Sequence, residues 1–72
     1  MDLLESVADD LARQALAVPG TADDNTLINL MAEVMGASSS TLQEAFLTAV
    51  RIRRAEARAL TELAKFKAKQ KG

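Results

Sequence analysis

A chain of 72 residues that holds neither cysteine nor histidine cannot build a disulfide, a zinc finger, a thiol nucleophile or an imidazole general base. It makes one domain at most, and a domain this small usually needs a covalent staple, a metal or a partner; oligomerisation is the staple left. Its net charge of −1 conceals a sharp division, because residues 1–50 carry eight acids and one arginine (net −7) while residues 51–72 carry eight bases and two acids (net +6).

Fourteen of the apolar residues are alanine and only two residues are aromatic, a balance that suits closely packed helices better than a sheet. The N-terminus lacks the positive start and apolar run of a secretory signal. The longest apolar stretch, "LINLMAEVMGA", is interrupted by Asn29 and Glu33 and is too short to span a bilayer. The expected location is the cytoplasm.

The fold class expected is all-α, with three helices at about 2–17, 25–35 and 41–68 in a single domain, 1–72, forming a short helical hairpin with a long C-terminal helix. In the first, Leu4, Val7, Leu11, Ala15 and Val18 recur at spacings of three and four, the repeat of one helix face. Pro19 and Gly20 end it and open a connector over 18–24. Asp24 or Asn25 is placed to cap the second helix. Leu27, Leu30, Met31, Val34 and Met35 form its apolar stripe, with Ile28 at the edge, and Gly36 stands where a stop is expected.

A second connector, 36–40, precedes two overlapping capping boxes, Ser40 with Gln43 and Thr41 with Glu44. No Gly or Pro follows until Gly72, so the third helix is long, with a frayed basic tail over 67–72. At about 100° per residue, Leu42, Phe46, Ala49, Leu60 and Leu63 share an apolar half that serves as the oligomer or partner seam. Arg53 and Glu56 fall inside that seam. Spaced i,i+3, they are placed to pair with each other, either with their heads reaching past the core's edge or across a subunit boundary, where they would set register.

Arg51, Arg54, Arg58, Lys65 and Lys69 line the opposite side as a basic stripe about 27 Å long, the surface expected to meet an anionic partner such as a phosphate backbone. Solvation of a cationic helix end and head-to-tail pairing with the acidic half of another copy are the competing readings of that stripe.

No arrangement reads as catalytic. Asp9 and Asp10 are sequential and diverge on a helix, Asp23 and Asp24 have no calcium loop around them, and Ser38, Ser39 and Ser40 have no base partner. No metal, cofactor or small-molecule substrate is expected. The connector between the first two helices is too long, and the second helix too apolar, for a DNA-reading helix-turn-helix.

The segment "LINLMAEVMGASSSTLQEAFLTAVRIRRAEARALTELAKFKAKQKG" resembles, in architecture and charge, the helical oligomerisation core of small terminase subunits of tailed phages and gene transfer agents. The likeness spans residues 24–72. It implies a homo-oligomeric, non-enzymatic DNA-packaging component that presents DNA to a large terminase ATPase and nuclease. That family's usual N-terminal DNA-binding domain has no counterpart in these residues, so DNA contact would fall, without sequence preference, to the basic stripe. The alternative is a partner-binding helical module, a secretion chaperone or regulatory hairpin, in which Leu27, Met31, Met35 and the third helix hold another protein. Membrane-surface binding is not expected, since one Phe and no Trp anchor the tail.

Overall fold

The computed structural model describes residues 2–71, the last of them in backbone only. It is all-α: α1 spans Leu3–Leu16, α2 Thr26–Ser38 and α3 Ser40–Lys71. α1 and α2 each pack on the first half of α3 and hardly touch each other. Thirty-two residues of α3 span about 48 Å at 1.5 Å per residue, which accounts for the long axis of a 52 × 27 × 14 Å body.

Asp2 starts α1 by accepting a 2.8 Å hydrogen bond from the Glu5 amide, satisfying one of the donors that a helix start leaves free. The expected face of this helix is turned. Ala8, Ala12 and Ala15 face inward, whereas Val7 and Val18 are exposed and Leu4 and Leu11 only half-buried. Alanine lets two helix axes approach, and the space is filled from α3 by Phe46 and Val50, the largest fully buried side chains. A row of small residues against two large ones packs without a void; a row of valines in its place would hold the helices apart.

α1 stops where Pro19 and Gly20 predict. Gly20 takes φ +90, open to glycine at no steric cost, and the buried Thr21 hydroxyl donates back to the Val18 carbonyl at 2.8 Å. Asp24 then accepts from both the Thr26 amide (2.9 Å) and the Thr26 hydroxyl (2.7 Å), which turns the chain into α2. The expected stripe on α2 is likewise rotated: Ile28 and Ala32 are its buried residues, and Leu30 and Val34 face outward.

Gly36 is not a stop. α2 continues through it to Ser38, and the connector expected over 36–40 contracts to Ser39 alone. The missing side chain serves a close approach instead: a Cβ on Gly36 would lie 2.6 Å from the amide nitrogen of Gln43, which crosses from α3 and donates to the Ala32 carbonyl at 3.0 Å. Neither expected capping box is present. Gln43 is used across the hairpin, and the cap of α3 is Ser39, whose hydroxyl oxygen accepts from the Leu42 amide at 3.0 Å.

Ser39 is extended, φ −156 and ψ 107, so one residue reverses the chain and sets α2 antiparallel to α3. Glu5 and Asp9 of α1 lie beside residues 45–52, and Arg13 and Leu16 beside residues 53–57. α1 therefore runs in the same direction as α3. α3 is continuous to Lys71 through most of the tail expected over 67–72; Gly72 lies outside the described residues.

Candidate functional site

α3 has two halves with different surroundings. Through Arg54 it is covered by α1, α2 and their connector; from residue 55 to residue 70 every side chain is exposed. The boundary is made by two adjacent arginines. Arg53 donates through Nε (2.6 Å) and Nη2 (2.8 Å) to the two carboxylate oxygens of Asp9 on α1, a fork that matches a carboxylate bidentately. These bonds hold the Asp9 carboxyl below its ordinary range and push the guanidinium further up.

The expected Arg53–Glu56 pairing is thereby corrected. Asp9 accepts one hydrogen bond on each carboxylate oxygen, whereas Glu56 acts on Arg53 only through space.

Arg54 turns the other way. Its Nη1 donates to the Asn25 side-chain carbonyl and its Nη2 to the Thr21 backbone carbonyl, each at 2.7 Å. Its Nε is buried with no acceptor. This guanidinium clamps the α1–α2 connector onto α3, so Arg54 leaves the basic stripe and belongs to the fold. Arg51, Arg58, Lys65 and Lys69 stay exposed along the helix. Lys65 pairs with Glu62 at 3.2 Å, and the Lys69 ammonium stands 5.9 Å from the centre of the Phe66 ring, within cation–π range.

Sequence reasoning missed Arg13. It faces Arg53, Arg54 and Arg58 around a groove of about 410 Å³ between the end of α1, the connector and α3, with Asp23 and Glu56 also on its walls. The cluster is tertiary, since Arg13 lies far from the others in sequence. Most of its charge is already engaged: Arg13 donates to Asp10, whose carboxyl it holds low together with Gln14, Arg53 is held by Asp9, and Arg54 by the connector. Arg58 alone remains unengaged.

The seam also divides at that boundary. Phe46 is fully buried, Leu42 and Ala49 are partly covered, and Arg53 is held by Asp9. Glu56, Leu60 and Leu63 lie on the projecting half, with Phe66 beyond them 64% exposed. A second groove, about 400 Å³, runs between α1 and α3 over a floor of Ala8, Ala45, Ala49 and Ile52, with Glu5 and Asp9 at its edge. On α2, Leu27, Met31 and Met35 are half-buried and pack against the core.

The carboxylates do not gather. Asp9 and Asp10 go to separate arginines, Asp24 to Thr26, and among the described residues no three acids converge as a metal site would require. No helix is long and apolar enough to cross a membrane among the described residues. Compared with family models, curated proteins and solved structures, the chain matches none.

Proposed function

We propose that this chain is a non-enzymatic, self-associating helical adaptor of the cytoplasm, in its most specific form a small-terminase-like DNA-packaging component that binds DNA without sequence preference and recruits or regulates a large terminase ATPase and nuclease. The observation that carries the reading is the projecting half of α3. It leaves the bundle as a free helix with apolar side chains on one face and Arg58, Lys65 and Lys69 on another, in line with the exposed Arg51 at its base. A helix so divided meets two partners at once, an apolar one along the seam and an anionic one along the stripe. Leu30 and Val34, 57% and 66% exposed on α2, support a second reading in which the partner is another protein's helix and nucleic acid has no role.

The experiment is a titration of a labelled DNA duplex by fluorescence anisotropy across a series of salt concentrations. Four stripe cations meeting four phosphates give a slope of log K against log salt of about −3.6 per protomer. The double variant Arg58→Gln, Lys65→Gln lowers it to about −1.8. A chain that fails to bind duplex at low salt removes the packaging reading and leaves the helix-binding module.

A further inference from the structure

Along α3, Ala49, Ile52, Glu56, Ala59, Leu63 and Phe66 follow one another at alternating spacings of three and four, the repeat by which one helix pairs with another along its length. Only the start of this row is covered within the protomer; Ile52 is 62% exposed, Leu63 48% and Phe66 64%. The row begins in the groove between α1 and α3, with its alanine floor and acidic edge, and ends on a basic arm.

We propose that the arm of α3 docks antiparallel on a second copy of the chain, with Leu63 and Phe66 of each protomer entering the groove between α1 and α3 of the other. This rests on the self-association in the reading above and fixes its direction. Heptad pairing of antiparallel helices sets Phe66 opposite Ala49, Leu63 opposite Ile52 and Ala59 opposite Glu56, and the two-fold axis repeats each layer. Phe66 meets Ala49 and Glu56 meets Ala59, with Leu63 against Ile52 between them, and neither Glu56 faces the other.

Charge gives the direction independently. Residues 1–50 are net −7 and residues 51–72 net +6. The antiparallel arrangement lays Lys67, which flanks the row on the side of α1, along the half that carries Glu5 and Asp9 in the partner. Parallel pairing in register would lay the two basic arms side by side, where like charges oppose association.

The area agrees. The protomer exposes 5317 Å², whereas a compact protein of 7.7 kDa exposes roughly 4,300 Å². The excess, roughly 1,000 Å², is close to the ~800 Å² that each partner buries in a standard interface. Arg58 and Lys65 lie on the far side of α3 from the row and Arg51 and Lys69 on its flank, so the pairing leaves the middle of the stripe open to an anionic partner.

The absence of cysteine makes the test direct. Gln70→Cys, at an exposed position, carries a spin label, and inter-label distance is measured beside absolute mass by light scattering at low and at molar salt. Gln70 sits opposite Ala45, so the labels stand 25 residues apart (70 − 45), about 38 Å at 1.5 Å per residue.

The expected result is an oligomer with that distance, whose association weakens at least about tenfold in molar salt as attraction between the two halves is screened. Leu63→Asp, changing a side chain exposed in the protomer, should give a monomer whose unfolding midpoint in the dilute regime hardly moves. Labels about 10 Å apart, or association that strengthens with salt, overturn the antiparallel docking while leaving self-association standing. A monomeric mass under all conditions overturns both.

Discussion

The chain's two phenylalanines lie on the same helix in opposite surroundings, and truncating each separates folding from association. Phe46 is fully buried between the alanine row of α1 and the side chains of α2, while Phe66 is 64% exposed on the arm. Phe46→Ala removes a large buried side chain and leaves a cavity, which costs about 3–5 kcal/mol. A chain of 72 residues at roughly 0.05–0.15 kcal/mol per residue has some 4–11 kcal/mol in all. The substitution therefore removes between about a quarter and the whole of the stability, or roughly 12–40 °C of Tm.

Phe66→Ala removes only surface contacts and stays within about 0.5 kcal/mol. The assay is urea unfolding followed by far-ultraviolet circular dichroism, at a dilution where scattering shows single chains, and then repeated at high concentration. There Phe66→Ala should lose the concentration-dependent stabilisation that association gives. Equal destabilisation by the two variants in the dilute regime would refute the reasoning, since it would mean that the arm folds back on the bundle.

The hairpin supplies two further tests. Ser39→Ala should cost about 0.5–2 kcal/mol through loss of the cap, and Ser40→Ala only tenths, both measured by urea unfolding. Gly36→Ala gains up to about 1 kcal/mol of helix propensity but displaces the flexible end of Gln43 and breaks its bond to Ala32, a loss of about 0.5–1.5 kcal/mol. Its midpoint should hardly move, whereas Gly36→Leu should lower it clearly. In acid, Asp9, Asp10 and Asp24 have folded pKa values below the ordinary value of 3.8. Their contribution is complete above that unfolded value and disappears as pH falls through the lower folded ones. Asp9→Asn should flatten this part of a pH–stability profile recorded by thermal melts.

The helices, and the stop at Pro19 and Gly20, were legible because periodicity and breakers are local. Which face of each helix turns inward was not. Hydropathy favours the side of α1 that carries Leu4, Val7 and Leu11, but α1 must fit beside Phe46 and Val50, and only its alanine row is shallow enough. Gly36 misled for a similar reason: as a local signal it reads as a stop, and its use is a contact with Gln43, seven residues further along the chain and on another helix. Arg51, Arg58, Lys65 and Lys69 are exposed at the positions the wheel gives them, whereas Arg54 is engaged with the connector. Position on the wheel gives Arg54 a direction, but not Thr21 and Asn25 waiting there as acceptors.

Arg53 and Arg54 also explain why one continuous helix behaves as two objects. The first ties α3 to α1 and the second ties it to the connector, and beyond them every side chain from residue 55 to residue 70 is exposed. Sixteen residues of isolated helix, 55–70, are marginal in water because the first turn is costly to nucleate. Here the bundle supplies that nucleus, and the arm extends a ladder already formed. Each further turn then depends on propensity, on the Glu62–Lys65 pair and on whatever covers Leu60, Leu63 and Phe66. Order in the arm is thereby linked to occupancy of its seam, so amide exchange over residues 60–70 should slow on association by a larger factor than exchange in α1, which the bundle already protects.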